Sequence, residues 1–554
     1  MKYGHPLCCI AVLWLCTCSV GAVGLPIGAA VAQELAGSAN GEPGFAELGN
    51  QIDGRPHSWW SIDGYLRTRG EWLNNLDLDR GLDPSGAPLF TVPPSSPSAQ
   101  SLRHADLRLR TDATVRTPRG GGAVVVRLDW LDGLALGSAP NAAPTAATGQ
   151  LQPGRLATVR RAYGMMALPF GALAMGRMNG HWGLGMVTHG GDGLDSDYGD
   201  AADRLAFVTP LVGHLWAVSY DWSATGPAAA RPGIGGSAPA RSVDMDPSDD
   251  VRSITLAVLN WRDALTHGRR QQAGKTTLEY GAFVSRRWQD RDAPASWATT
   301  SPPAELGGAA WMRRDLAVVA GDCWLRVSGP WGRVEAEAFG LTGAYQQASL
   351  IPGVELRDPV ALRQLGAAVQ SRFGQDQAGL SFGLDAGAAS GDPAPGWGSF
   401  AAATAPAGTA GSFRAAQIDA PRDNMLSELH FAADYRVDRI LFREILGAVA
   451  DAAYLRPHLR YAVADWGAGQ WVADLAVIQS WAIEAATTPG GAANLGLELD
   501  PTVTYRSRDG IDASLAWATF LPGAAFDNRG DGTAATALTA RAAHLARLTL
   551  RWRF

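Results

Sequence analysis

Arginine is the residue type with the clearest chemical potential in this sequence. The 47 Lys and Arg residues include only two lysines, Lys2 and Lys275. Several arginines lie two positions apart, and such pairs point to the same face of a β-strand. The candidate row is Arg67, Arg69, Arg108, Arg110, Arg127 and Arg177.

If these side chains face a water-filled lumen, their charges lower the electrostatic barrier for anionic solutes. The alternative is that Asp63, Glu71, Asp112 and Asp129 neutralise them. The charged side chains of the wall would then pair with one another, and the lumen would discriminate little between anions and cations. The sequence leaves both interpretations open because it does not fix the register between strands.

The second candidate is an acidic, glycine-rich stretch from Gly190 to Asp203. Calcium prefers several oxygen ligands on a flexible loop, so a Ca²⁺ site is a chemically sensible hypothesis. Its candidate ligands are Asp192, Asp195, Asp197 and Asp200. The spacing is not that of an EF-hand, and the alternative is that these carboxylates are solvated or paired with arginine.

Histidines near aspartates raise the question of catalysis. His181, His189 and His214 could in principle belong to a Ser/His/Asp site, but no G-x-S-x-G elbow or H-E-x-x-H helix surrounds them. A histidine beside a tryptophan in a tight loop is more often a hydrogen-bonding packing residue. The sequence therefore predicts a protein that is not an enzyme.

The segments that carry these residues alternate with period two. Ile62, Leu66 and Trp72 lie on one face of the first segment, and Arg67 and Arg69 lie on the other. One face suits lipid and the other suits water, whereas helical spacing would scatter the charges around a cylinder. The same alternation recurs along the chain and predicts β-strands.

The links between these strands alternate between tight turns and long loops. Short links such as 168–171 and 210–213 take turns with long ones such as 74–101 and 389–423. This pattern predicts an all-β, transmembrane, antiparallel up-and-down β-barrel of about 18 strands, in a range of about 16 to 20. The stretch 437–450 has apolar residues at helical spacing and is either a short helix or an extra strand.

The chain ends indicate export. Residues 1–32 are typical of a signal peptide cleaved near Ala32, 33–57 are expected to form a short periplasmic segment, and 58–554 the barrel with long extracellular loops. The terminal strand alternates up to Phe554, which predicts recognition by the barrel-assembly machinery. The expected location is the bacterial outer membrane, in contact with its lipids and lipopolysaccharide.

Composition excludes one class of partner. The formal net charge is -6 and no basic block is present, so nucleic-acid binding is not expected. No cofactor is expected apart from the calcium considered above. The oligomeric state stays open.

Several blocks resemble a known family. Residues 176–186 read GRMNGHWGLGM and 192–200 read DGLDSDYGD, with further agreement in GYLR at 64–67, LDGL at 131–134 and FREILG at 442–447. These blocks resemble a family of delta-proteobacterial, especially myxobacterial, outer-membrane barrel proteins that has no assigned activity. The arginine-alternating strands are more distantly similar to alginate-export-type porins, a likeness that implies a preference for polyanions.

Together these features predict a porin-like channel for passive passage of small or polymeric anionic solutes. The alternative is a non-conducting barrel that binds a partner at the cell surface or has a structural role.

Overall fold

The computed structural model describes most of the chain after residue 58. The described ranges are 59–82, 88–93, 100–118, 121–136, 157–226, 229–230, 243–244, 246–262, 264–292, 311–347, 359–374, 379–392, 425–463, 469–528 and 538–554. The predicted signal peptide and the segment 33–57 lie outside them.

Eighteen long strands build a single sheet. In chain order they are β1 (Trp60–Asn74), β2 (Ser101–Arg116), β3 (Gly122–Asp129), β4 (Thr158–Leu168), β5 (Gly171–Asn179), β6 (Ala201–Leu211), β7 (His214–Ala224), β8 (Val251–Asn260), β9 (Thr277–Asp292), β10 (Met312–Gly329), β11 (Gly332–Tyr345), β12 (Val360–Gly374), β13 (Gly379–Ala389), β14 (Ala452–Ala462), β15 (Gly469–Ala482), β16 (Asn494–Ser507), β17 (Ile511–Pro522) and β18 (Ala543–Arg553).

Each strand pairs antiparallel with the next one along the chain, and the first pairs with the last. In the closing pair, Tyr65 lies opposite Arg553 and Asn74 opposite His544. The C-terminal residue completes this seam, because Gly64 N–H donates to the Phe554 carbonyl at 3.0 Å. The prediction of a closed, antiparallel 18-stranded barrel is therefore confirmed.

Alternation places charge inside the cylinder and apolar side chains outside. On β1 the buried residues are every second one, among them Arg67 and Arg69, whereas Ile62 is exposed. On the outer face of other strands, Met175, Leu256 and Leu365 are more than half exposed. Side chains of this kind suit hydrocarbon, so this outer surface matches that of a barrel in a bilayer.

The two ends of the barrel differ in the length of their connections. At one end the links are tight, as between β6 and β7, where Val212 and Gly213 form a two-residue turn with φ of 51° and 73°. Such primed turns match the twist of a hairpin. At the other end the connections are long, such as 75–100 and 390–451. The predicted alternation of short and long links is confirmed.

A few short elements complete the fold. They are helix α1 (Ala264–Gln272), a π-helix (Leu441–Ile445), two 3₁₀ turns (Ala485–Thr487 and Ala524–Phe526), and two-residue strands at Leu134–Ala135, Ala229–Ala230, Val243–Asp244 and Met425–Leu426. The stretch 437–450 thus contains a short helix and no barrel strand. Among the described residues, no helix is long and apolar enough to cross a membrane.

Two connections from the long-loop end fold back into the cylinder. We call residues 180–200, between β5 and β6, the acidic loop, and residues 427–451, between β13 and β14, the inner segment. The inner segment buries Ile440, Leu441 and Phe442 against wall residues such as Tyr454 and Leu545. The lumen is therefore filled largely by the protein's own chain.

Candidate functional site

The predicted arginine row lines the inner wall on β1, β2 and β3. Arg67 is completely buried and binds Asp106 at 3.3 Å. Arg69 binds the other oxygen of the same carboxylate at 2.7 Å. Arg110 forms a two-pronged contact with Asp129, with distances of 2.6 and 2.8 Å. These geometries are those of charge-assisted fork contacts, which fix orientation as well as charge.

The acidic loop supplies the remaining partners of these arginines. Asp197 bridges Arg67 and Arg69, at 2.9 Å to each guanidinium. It also binds Arg443 of the inner segment at 3.3 Å. The loop therefore sits on the arginine row with one carboxylate shared by three guanidinium groups.

Asp195 and Asp192 of the acidic loop make further ion pairs with the inner segment and with other strands of the wall. Asp195 binds Arg443 at 2.5 Å and lies 3.7 Å from Arg547 of β18. Asp192 pairs with Arg127 of β3 and Arg161 of β4. The two sites that the sequence suggested separately, an arginine row and an acidic loop, are one interlocked site.

Arg177 does not belong to this site. Its side chain is half exposed and pairs with Asp203, also half exposed, at 2.9 Å. It lies two residues from Met175, whose side chain is on the outer surface, and Asp203 lies two residues from the exposed Leu205. The assignment of Arg177 to the lumen is therefore wrong, because it occupies the outward face near the end of β5, where an ion pair can reach the water outside the lipid.

The candidate calcium ligands have other partners. The carboxylates of Asp192, Asp195 and Asp197 bind arginines, and that of Asp200 accepts the His189 backbone N–H at 2.8 Å. Among described residues, the carboxylates close enough to share one cation are those of Asp244, Asp249 and Asp250. These contacts match the alternative that the loop pairs with arginine, and calcium binding there stays an untested prediction.

The histidines of the acidic loop shape its turns. His181 Nδ1 accepts the Gly190 N–H at 3.2 Å, and His189 Nδ1 accepts the Gly191 N–H at 3.1 Å. The two rings meet edge to face with centroids 5.2 Å apart. The third histidine, His214, lies at the short-turn end, 2.8 Å from the Tyr280 hydroxyl. Their contacts are those of packing residues.

A wall carboxylate and a carboxylate of the inner segment itself accept hydrogen bonds from the backbone of that segment. Glu498 of β16 accepts three successive N–H groups, from Arg439, Ile440 and Leu441, at 2.8 to 3.0 Å. Asp438 accepts those of Phe442 and Arg443. The first N–H groups of a helix have no partner within it, so these two carboxylates satisfy the start of the π-helix.

An open cavity of about 390 Å³ remains between the inner segment and the wall formed by β11 to β18. Its lining includes His458 and five aspartates, namely Asp195, Asp385, Asp438, Asp474 and Asp500. It also includes eight arginines: Arg333, Arg372, Arg436, Arg439, Arg443, Arg456, Arg460 and Arg551. We call this space the central cavity. Arginines therefore outnumber aspartates around this cavity.

Some of these arginines have an N–H group without a hydrogen-bond acceptor among the described residues. Arg456 binds Asp385 at 2.6 Å, and Arg460 lies 3.7 Å from Asp474. Yet the Nε atoms of Arg456, Arg460 and Arg551 have no hydrogen-bond partner among the described residues. These Nε atoms are buried, so the parts of the guanidinium groups that can meet a solute are the terminal nitrogens that line the cavity.

The sequence contained signals for part of this cavity. Arg333 alternates with Glu335 and Glu337 on β11, and Arg551 belongs to the alternating terminal strand. Arg436, Arg439 and Arg443 could not be placed, because nothing in the sequence indicates that the inner segment enters the lumen.

The pKa values of the acidic loop show how firmly it is bound. Burial alone would raise the pKa of Asp195, but Arg443 and Arg547 outweigh it and hold the pKa well below its usual range. The pKa of Asp197 is lowered against the same effect of burial by Arg69 and Arg67. Stability from a lowered acid pKa is present above the ordinary pKa and lost only as pH falls through the folded value. The loop should stay charged and bound at any pH near neutral.

Asp438 should instead titrate near neutral pH. Burial raises its pKa to about 7, and the charge of Asp500 adds to this effect. A raised acid pKa gives stability that is complete below the ordinary value and lost as pH rises through the folded one. We therefore expect the melting temperature to fall as pH rises from 3.8 to about 7 and to level off above that.

The Asp438→Asn variant tests this expectation, because its side chain cannot ionise. Its melting temperature, followed by heat-dependent gel migration, should show a smaller fall across the same pH range. The matched control is Asp509→Asn, which removes an exposed carboxylate in the turn between β16 and β17. An Asp438→Asn profile identical to that of the unmodified protein would contradict the assignment.

Comparisons with known proteins give only distant similarity. No family model matches the chain, and none of the curated proteins compared with it matches. Among solved structures, Pseudomonas aeruginosa OccK9 (OpdG) is 13% identical with a TM-score of 0.45 over 89% of this chain and 98% of that one.

Two further solved structures have similar values. The BenF-like porin from Pseudomonas fluorescens Pf-5 is 9% identical, with a TM-score of 0.43 over 89% of this chain and 98% of its own. Pseudomonas putida OprB is 10% identical, with a TM-score of 0.38 over 92% and 96%. Such values carry no argument about function, and the resemblances to the myxobacterial family and to alginate-export-type porins stay predictions.

Proposed function

We propose that this protein is an outer-membrane porin that lets small anionic solutes pass through the central cavity. The observation that carries the proposal is the excess of arginine over aspartate around that cavity. Arginines along a narrow passage lower the electrostatic barrier for anions and raise it for cations.

The inner segment and the acidic loop limit the size of the solute. Both fill the lumen with tightly packed side chains, and the opening that remains has a volume of about 390 Å³. A space of this size accommodates a small molecule. We therefore favour small solutes over the polymeric ones that the likeness to alginate-export porins implied.

The proposed setting follows from the barrel itself. Its outward face is apolar, and tryptophans lie exposed near both ends, with Trp59 and Trp552 at the short-turn end and Trp130 and Trp222 at the long-loop end. Indole rings favour the headgroup level of a bilayer. We place the short-turn end in the periplasm and the long loops outside, with Phe554 read by the barrel-assembly machinery.

Planar-bilayer recording of the purified protein tests the proposal directly. In a KCl gradient we expect discrete current steps and a reversal potential of the sign given by chloride selectivity. Cation selectivity would contradict the role of the arginines.

The same recording tests the alternative of a non-conducting surface protein. The apolar packing of the inner segment against the wall, including Phe431, Ile440 and Phe442, favours that alternative. A barrel that folds correctly, shown by heat-modifiable migration, but gives no current steps would support it over the porin.

A further inference from the structure

The barrel wall has a gap between β4 and β5 on the long-loop side. These strands pair only from Ala162 opposite Arg177 to Leu168 opposite Gly171. Beyond that point, residues 158–161 pair with β3, and residues 178–179 pair with β6. Four residues of β4 therefore lack a neighbour in β5, a length of about 13 Å along the strand.

The backbone is irregular where the pairing between these strands ends. Gly176 has φ of +133°, and a Cβ added to it would lie 2.3 Å from the Ala162 carbonyl oxygen. Only glycine allows so close an approach in this conformation. The register between β3 and β4 also shifts between Arg127 and Leu128, which marks a bulge on the other side of the gap.

A cavity of about 320 Å³ occupies this gap and reaches both faces of the wall. From the outer face it is lined by Val159, Arg177 and Trp222, whose side chains lie on the outer surface. From the lumen side it is lined by Arg161 and by Gly191 of the acidic loop. None of its lining residues belongs to the central cavity. We call this space the lateral pocket.

The outer rim of the lining combines apolar side chains with the Arg177–Asp203 ion pair, and the inner part is cationic. Val159 and the indole of Trp222 flank the mouth, while five arginines and two aspartates line the whole pocket. The carboxylates that pair with Arg127, namely Asp112 and Asp192, are not part of the lining. Arg160 pairs with Asp129 and Asp132, and Arg161 with Asp192, and these carboxylates also lie outside the lining. A ligand in this pocket therefore meets guanidinium groups whose partners bind them from the far side.

We propose that the lateral pocket binds a single-chain anionic amphiphile that enters from the membrane. Its acyl chain lies between Val159 and Trp222, and its carboxylate, sulfate or phosphate head points toward Arg160 and Arg161. A volume of about 320 Å³ falls in the range of small-molecule sites, roughly 300–1,000 Å³. The site is separate from the proposed conduction path, so it does not depend on the channel function.

Photolabelling tests this proposal in phosphatidylcholine nanodiscs. The probe is a photoreactive 12-carbon fatty acid, and the labelled peptides are identified by mass spectrometry. We expect label concentrated on residues 158–161, 201–203 and 222–223. Dodecanoate should compete, whereas acetate, which lacks the chain, and dodecyl maltoside, which lacks the charge, should compete at least about tenfold less well.

Two variants with one control locate the site. Val159→Trp fills the mouth and should remove most of the label, whereas Val218→Trp changes an equally exposed outward valine on β7 (46% and 45% exposed) and should keep it. Arg160→Gln should weaken competition by dodecanoate about tenfold and leave dodecyl maltoside unaffected. Heat-modifiable migration shows that each variant is folded.

Three outcomes would overturn the proposal. Label spread evenly around the outer surface would mean that no pocket selects the probe. Equal competition by dodecyl maltoside would mean that the anionic head does not contribute to binding. Equal competition by acetate would indicate a site for free anions instead.

Discussion

The Asp195→Asn/Asp197→Asn double variant should have a larger single-channel conductance than the unmodified protein and a lower melting temperature. The two carboxylates contact Arg67, Arg69, Arg443 and Arg547. Removing one partner of a buried ion pair costs about 3–5 kcal/mol, because a charge is left buried and unpaired. The acidic loop should then leave the wall, and the lumen should widen.

The loss of charge should also increase the anion selectivity of this variant. Two negative charges disappear while the facing guanidinium groups remain, so anion selectivity should increase together with conductance. The measurement is single-channel recording in symmetric KCl followed by a KCl gradient. Asp509→Asn, in the exposed turn between β16 and β17, should change neither value. A double variant with unaltered conductance would mean that these ion pairs do not hold the loop in place.

The second large effect is expected from the arginines of the central cavity. The Arg456→Gln/Arg460→Gln/Arg551→Gln triple variant should move the reversal potential in a KCl gradient toward zero or reverse its sign. Three of eight cationic residues are lost while the five aspartates remain. Glutamine keeps most of the side-chain length, so the change acts mainly through charge.

A matched control separates lumen charge from net charge. Arg313, at the long-loop end of β10, is 81% exposed and bound to Asp315. Arg313→Gln should leave the reversal potential unchanged, since a well-solvated charge outside the passage is screened by salt. If the triple variant retained full anion selectivity, the solute path would have to avoid the central cavity, and the proposed function would need a different route.

The two arginine groups differ in their partners, and the partners of the first group match the salt-bridged wall that the sequence left open as an alternative. Arg67 and Arg69 were candidates for selectivity, yet Arg67 is fully buried and both bind Asp106 and Asp197. Their partners lie on the wall and on the acidic loop, so their main effect is to hold that loop. Substituting them with alanine should lower the melting temperature, because Asp106 and Asp197 would lose their partners.

The strands and the inner wall were predictable because each depends on local pattern. Alternation around Arg67, Arg69, Arg108 and Arg110 requires only that one face meets water and the other lipid. Arg177 departs from this pattern because it lies at a strand end, at the headgroup level, where a charged side chain can also face outward. Period two alone cannot distinguish the two positions.

The filling of the lumen by the acidic loop and the inner segment could not be predicted, because it depends on contacts between distant parts of the chain. Asp195 and Arg443 are 248 residues apart, and Glu498 holds Ile440 across 58 residues. The sequence shows that the acidic loop is rich in aspartate and glycine, and pairing of its carboxylates with arginine is one of the two interpretations it allows, beside calcium binding. Which arginines it would meet depended on strand register and on the direction in which the loop folds.

The seam between β1 and β18 has a consequence for biogenesis. One edge of β1 has no partner until β18 is in place, since Tyr65 pairs with Arg553 and Gly64 with Phe554. The acidic loop in turn needs Arg547, which belongs to that last strand. Because such distant contacts form late, sealing of the interior should follow ring closure, and an incompletely assembled barrel should be leakier than the finished one.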